Sequence, residues 1–374
     1  MGFYNFNKPV VGGRFFGRSA ALRTINDGFS MGRSYAIGGG SKIGRTSILA
    51  QLHQLLREQL ITNKKQTRQT PIYIDMVNVP HKIALVTVKY YWEALIRGAR
   101  SATVDSGGLP PMPENPLLQK RCPEPWKTLR EQINQLEKLT VGTSAWSHYV
   151  WLIDNADLLF EPVHEEEAVF IRELMTNEIS HDHTSVVLAG GRMLKESFTD
   201  IDSPFKAARQ YNLGLFNEQE CRNLCRAGIP QLEPQIIEQL FALTGGHPYA
   251  LQRLLAVLEM QYPPYNIELA VTQAENDLTN LWQSVWDEID FGRDLNYSGT
   301  YAAPEHLLMQ LLIETNSPIE LRNAERELGL KPLREVADLF EYLGIVQRGI
   351  LGDARMVNAN VTLWNTWYRQ RVRE

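Results

Sequence analysis

Residues 33 to 60 read RSYAIGGGSKIGRTSILAQLHQLLREQL: a short apolar run, a loop rich in glycine, then a helical pattern. That order constrains the fold more than any other feature of the chain. It brings a strand end, a loop of small residues and a helix N-terminus to one point. Backbone N–H groups in such a loop can turn inward and approach phosphate oxygens closely, and the helix dipole adds positive potential. Gly39, Gly40 and Gly44 supply the small residues, Ser41, Lys42 and Ile43 complete the loop, and Thr46 followed by Ser47 opens the helix. The Thr46 hydroxyl is placed to ligate Mg²⁺. Arg45 stands where a phosphate-binding loop ordinarily has lysine. Its guanidinium is longer, planar and forked, so polyphosphate binding is expected while efficient γ-phosphoryl transfer is not. Lys42 offers a second charge, or is a solvated loop lysine.

YVWLIDNADLLF supplies the matching acid. An apolar strand ending in Asp154 is the expected source of the carboxylate that holds Mg²⁺ through water, next to the phosphate loop. The following residue is Asn155, where many ATPases have a glutamate that positions the attacking water; an amide orients water but is a poor proton acceptor. Asp157 is open to two readings, a replacement carboxylate or a helix start.

Five short apolar runs, at 33–38, 71–77, 148–154, 184–190 and 211–216, alternate with helical patterns such as 44–60 and 166–179. Most are too apolar for a half-exposed sheet, which predicts parallel strands covered on both faces in an α/β sandwich. A Pro- and Gly-rich stretch at 101–125 breaks the pattern as a surface loop or an inserted flap. Beyond residue 216 the pattern is helical, with Asn217 as an N-cap, Gly245 and Gly246 as a helix stop, and a long helix near 267–290. Three further helices and a two-stranded turn over 345–358 give the winged-helix pattern. The expected domains are an α/β nucleotide-binding domain (1–215), a helical lid (216–298) and a winged-helix domain (299–374).

GGRFFGRSAALRTINDGFSMGRSYAIGGGSKIGRTSIL resembles the opening of bacterial AAA-like ATPases of the STAND class, signal-transducing relatives of AAA+ proteins and NOD-like receptors. VVLAGGRMLKES is similar to the sensor-1 segment of that class, and LTGGHPYALQRL to the Gly-x-Pro segment of its lid. The resemblance implies a P-loop NTPase sandwich, a lid and a winged helix. It places Phe16, Gly17 and Arg18 beside adenine, Arg192 at the γ-phosphate, Pro248 on the base or sugar with His247 close by, and Arg209 as a trans-acting arginine finger. Asp154, Asn155, Arg192 and Arg209 are then the catalytic set, Thr46 and Asp154 the metal set, and ATP or ADP with Mg²⁺ the cofactors.

Composition excludes several classes. A net charge of −5 opposes a protein whose main partner is a nucleic-acid backbone. Three cysteines, Cys122, Cys221 and Cys225, make no extracellular disulfide framework. No apolar run reaches membrane-spanning length, and the first residues have no signal-peptide character, so a cytoplasmic protein is expected. The pair of histidines in 181–183 and the i, i+4 cysteines are weak metal candidates, and Trp364, Trp367 and Tyr368 read as a packing face. The stretch KPLREVADLFEYLG, where a DNA-reading helix would lie, has Lys331 and Arg334 against Glu335, Asp338 and Glu341, net 2 − 3 = −1, a poor match for phosphate. The sequence is therefore read as a nucleotide-dependent switch with slow or absent hydrolysis. Its partners are itself, as an oligomer, or a separately encoded effector or sensor in bacterial signalling or defence. The other readings are a DNA-associated AAA+ regulator and a nucleotide-free scaffold.

Overall fold

The computed structural model describes residues 3–4, 8–62, 68–103, 115–119, 121–140, 147–176, 184–198, 203, 205–290, 304–315, 317–329, 333–351, 354–359 and 361–373. The chain forms two compact units, one of residues 18–38 and 45–211, the other of residues 1–17, 39–44 and 212–374. Residues 104–114 and 120 of the 101–125 stretch, the 181–183 histidines and Lys331 lie outside the described residues.

The first unit is built on β1 (Tyr35–Gly38), β2 (Arg68–Asp75), β3 (Ser147–Asp154), β4 (Thr184–Gly190) and β5 (Arg209–Asn212), with α1 (Ser19–Phe29), α2 (Arg45–Thr62), α3 (Ala84–Thr103), α4 (Pro125–Thr140), α5 (Glu165–Met175) and α6 (Arg192–Ser197). The strands form one sheet in the order β2-β3-β4-β1-β5. The pairs β2·β3, β3·β4 and β1·β4 are parallel. This is the expected α/β fold. β4 lies between β1 and β3, so the strand ending in Asp154 is one place further from the glycine loop's strand than the sequence reading put it. On β3 both faces are covered: Tyr149, Val150, Trp151, Leu152 and Ile153 are all buried. Trp151 and Phe170 pack with Tyr91 and Trp126 into one aromatic cluster, with Tyr91–Phe170 centroids at 5.5 Å and Trp126–Phe170 at 5.4 Å. Each such side chain contributes roughly 1.5–3 kcal/mol by leaving water. Pro71 is in the middle of β2 but β2 is an edge strand, where a missing N–H costs no ladder bond. Gly98 of α3 comes so near that a β-carbon there would be 3.0 Å from the Pro71 carbonyl oxygen.

The second unit contains α7 (Glu218–Gly228), α8 (Pro234–Thr244), α9 (Pro248–Leu258), α10 (Ile267–Asp290), α11 (Pro304–Thr315), β6 (Ile319–Glu320), α12 (Leu321–Leu328), α13 (Leu333–Leu343), β7 (Gln347–Leu351), β8 (Ala354–Asn358) and α14 (Thr362–Arg373). Asn217 caps α7 in a capping box: its side chain accepts from the Glu220 N–H and Glu220 from the Asn217 N–H, both at 2.9 Å. Gly245, left-handed at φ 57°, ends α8. The small sheet has three strands, antiparallel in the order β6-β8-β7, and not only the expected hairpin. β6 is two residues long and runs directly into α12. The strand expected over 211–216 begins earlier and stops at Asn212; Phe216 donates instead to the Gly246 carbonyl at 2.9 Å. One continuous apolar core runs from Leu224 in α7 through Trp282 in α10 to Trp364 and Tyr368 in α14. Trp364, Trp367 and Tyr368 are the packing face expected of them.

Candidate nucleotide site

The predicted site residues are divided between the two units. In the first, parallel pairing sets Asp75 at the end of β2 opposite Asp154 at the end of β3. Asp154 is buried, and its carboxylate is gripped by donors: the Thr46 hydroxyl at 3.3 Å and the Asn155 N–H at 3.0 Å on Oδ1, and the Tyr73 hydroxyl at 2.7 Å on Oδ2. Burial, and then the Asp154 charge, push the Tyr73 phenol well above its ordinary range, so it remains a donor. Thr46 and Asp154 are hard oxygen ligands already within hydrogen-bond distance of each other. That is the donor set Mg²⁺ takes from protein when phosphates and water complete its octahedron, so the residues fit the ion. Among the described residues no cluster of three or more His, Cys, Asp or Glu is placed to hold a metal unaided.

Asn155 adopts a left-handed conformation, φ 54°, which asparagine tolerates better than most residues. Its amide Nδ2 donates to Asp75 Oδ1 at 2.8 Å. Asp157 lies in the first turn of a short helical segment, Ala156–Phe160, but its side chain serves another helix. Its carboxylate accepts from the Leu194 N–H at 2.9 Å and from the Gly191 N–H, so it caps α6 from a distance. Arg45 Nη1 is 4.0 Å from Asp157 Oδ2, the outer limit of an ion pair. Arg192, at the start of α6, is bound to Glu196 one turn on, at 2.5 Å. Arg209 is exposed, and its backbone N–H donates to the carbonyl of Ser34, the residue before β1, at 2.9 Å. Arg18 precedes α1, and Ser47 lies in the first turn of α2.

The second unit holds the remaining candidates. Gly40 donates its N–H to the Tyr342 carbonyl at the end of α13, 3.0 Å. The approach is so close that a β-carbon at residue 40 would fall 2.3 Å from the Leu343 carbonyl oxygen, so no residue larger than glycine keeps this contact. Ser41 Oγ is 2.8 Å from Ser284 Oγ on α10. Lys42, exposed and left-handed at φ 58°, holds its ammonium 5.7 Å above the Tyr249 ring. Ile43 is buried, with a methyl 3.1 Å from where Gly344 would carry a β-carbon. Phe16 packs on the apolar core, and Gly17 adjoins Phe216. His247 is fully buried with its ring edge-on to Trp282 at 5.4 Å, and Pro248 is buried at the first position of α9.

Sequence reasoning missed Tyr73, Asp75, Ser284, Tyr249, Phe216 and the Tyr342 carbonyl. Only Asp75 left a signal: PIYID ends on Ile-Asp as VWLID does, two apolar strands each closed by a carboxylate.

No protein-family profile matches the chain, and no curated protein is similar to it in sequence. Solved structures do resemble it. A Walker-type ATPase of Pyrococcus abyssi superposes with a TM-score of 0.60 at 14% identity, covering 98% of this chain and 99% of that one. The Aeropyrum pernix ORC2 protein, solved as ADPNP–ADP complexes, gives 0.51 at 13% identity over 99% of this chain and 98% of that one. At these identities the likeness is one of fold, and the fold is that of the P-loop ATPases.

Proposed function

We propose that the protein is a nucleotide-dependent molecular switch. It binds ATP or ADP with Mg²⁺, turns ATP over slowly or not at all, and through its conformation controls association with itself or with a partner protein in a bacterial, cytoplasmic signalling or defence assembly. The observation that carries this reading is the Gly40 amide, which Tyr342 accepts at 3.0 Å. That amide is a donor in a loop suited to phosphate, so phosphate and the end of α13 compete for it, and two states with different contacts follow. The glycine loop and the Thr46–Asp154 pair would hold Mg²⁺-nucleotide. Bound Mg²⁺ would neutralise phosphate charge. Phe16, Gly17 and Arg18 would flank adenine, with His247 and Pro248 contributing from the lid, and Arg209 would serve a neighbouring copy. Arg192 would reach the γ-phosphate on leaving Glu196. The likeness to a protein solved with ADPNP and ADP supports the ligand class.

A protein partner is favoured over DNA by how the basic residues are used. Arg348 on β7 is bound to Asp338 and Glu341 of α13. In the C-terminal basic stretch, Arg369 donates to the Ile313 carbonyl at 2.7 Å, and Arg371 lies over Trp286 and Trp367 at 5.5 and 5.4 Å. These cations serve packing. We take the lid (216–298) and the winged-helix region (299–374) as the moving and partner-facing parts.

The test is to denature purified protein, identify released nucleotide by chromatography, and measure Mg²⁺-ATP affinity for wild type and Asp154→Ala. Bound ADP or ATP, or affinity weakened at least tenfold by the substitution, is expected; a protein that is empty and binds nothing leaves only a scaffold. Hydrogen exchange at Gly40 should change on adding nucleotide, and an unchanged amide would remove α13 from the switch.

A further inference from the structure

We infer that Asp75 is a positioning residue for ATP hydrolysis, acting through Asn155 at the place where the usual glutamate is missing; this rests on the nucleotide-binding reading above. The Asp75 carboxylate is acceptor-only and takes three donors: the Val77 N–H at 3.1 Å and the Asn155 Nδ2 at 2.8 Å on Oδ1, and the Asn78 Nδ2 at 2.7 Å on Oδ2. An amide facing a carboxylate has one sensible orientation, nitrogen toward it. Asp75 therefore decides which end of Asn155 is left over, and it is the carbonyl oxygen. Among the described residues Asn155 Oδ1 accepts no hydrogen bond, while the Asn155 N–H is tied to Asp154, the predicted Mg²⁺ ligand. The site thus presents a fixed acceptor one residue from the metal position, able to take one hydrogen bond from a water.

An amide oxygen orients water without removing its proton. The step it supports is attack of the water oxygen on the γ-phosphorus with rupture of the bond from that phosphorus to the β–γ bridging oxygen. The water proton passes to a γ-phosphoryl oxygen, giving ADP and inorganic phosphate. Alignment without a base yields slow turnover. The same pairing explains why Asn155 is left-handed: φ 54° turns its side chain to the neighbouring strand's end, where register has put Asp75.

Asp75 also caps the turn Met76–Asn78 through the Val77 N–H, and a purely structural role would stop there. Asp75→Ser separates the two. A serine hydroxyl still caps the turn through the Val77 N–H, but its shorter side chain does not hold Asn155 as well, so that amide loses its fixed orientation. The experiment measures melting temperature, Mg²⁺-ATP affinity and single-turnover hydrolysis on the same samples of wild type, Asp75→Ser, Asn155→Gly and the double variant; glycine keeps the left-handed backbone and removes the amide. The expected result is a near wild-type melting temperature and affinity for Asp75→Ser, with turnover at least tenfold slower. The double variant should be no slower than Asn155→Gly, because Asp75 acts only through that amide. Equal turnover in wild type and Asp75→Ser overturns the proposal, as does a double variant slowed by the two single factors multiplied. Wild type that binds Mg²⁺-ATP without hydrolysing it overturns this proposal alone, whereas failure to bind overturns the nucleotide reading and this one with it.

Discussion

Gly17 lies against the ring of Phe216 so closely that a β-carbon at residue 17 would be 2.5 Å from it, and the backbone there, φ 74°, is one that residues with a side chain rarely adopt. The same phenylalanine has its carbonyl oxygen 2.1 Å from where Gly246 would carry a β-carbon. Phe216 is therefore clasped between the FFGR segment, which the family resemblance sets beside adenine, and the glycines that end α8, read from sequence as a helix stop.

Gly17→Ala should cost about 1–3 kcal/mol, from overpacking and the strained backbone together. Urea denaturation measures it. Gly13→Ala, with nothing within 4 Å of the added carbon, is the control and should be near neutral. Phe216→Leu in the Gly17→Ala background should be less costly than the sum of the single changes, and strict additivity would mean the contact is not the cause.

Asp157→Ala removes the acceptor for two N–H groups at the start of α6. A loss of about 1–2 kcal/mol is expected, as for other lost helix caps, with nucleotide affinity retained. Affinity falling tenfold while stability holds would return Asp157 to the site.

Cys221 and Cys225 are buried on one face of α7, and burial pushes the Cys225 thiol up to about 12. Cys221 is raised further by burial, then by its neighbour Cys225. Neither forms appreciable thiolate at pH 8, so an alkylating reagent should modify Cys122 alone in the folded protein and all three after denaturation. Mass spectrometry counts the adducts; rapid labelling of the pair would show that α7 opens.

His53 lies edge-on to Tyr73 with ring centroids at 6.2 Å. Burial first, then Arg57, lower its pKa below the ordinary 6.5. The folded state binds this proton less readily than the unfolded chain. Its contribution to stability is therefore whole above pH 6.5 and is lost as pH falls through the folded value. His53→Gln should flatten the decline in melting temperature between neutral and mildly acidic pH, and an unchanged slope would assign that decline to other groups.

What the sequence made legible was local. The glycine loop with its strand and helix, the Asp154 strand end, the Asn217 cap and the Gly245 stop each depend on residues within a few positions, so their chemistry is written in order. Asp75 meets Asn155 only through parallel register 80 residues away. The cap made by Asp157 reaches residues 34 and 37 positions on, which is why a loop carboxylate looked equally suited to catalysis. The two residues of β6 are a strand solely because β8 pairs with them. Gly40 reads as a phosphate donor from its neighbours, and nothing in them announces that a carbonyl from α13 has taken the bond.

The proline in mid-β2 has a consequence for assembly. An edge strand normally offers its backbone to any chain that can lie beside it, which is how sheets merge between molecules. At residue 71 such a visitor would find no proton to bind and, with Gly98 of α3 pressed against the carbonyl, little room to approach. The β2 flank is thus guarded against zippering, and a second chain that approaches this edge at residue 71 must meet it through side chains and not through backbone hydrogen bonds.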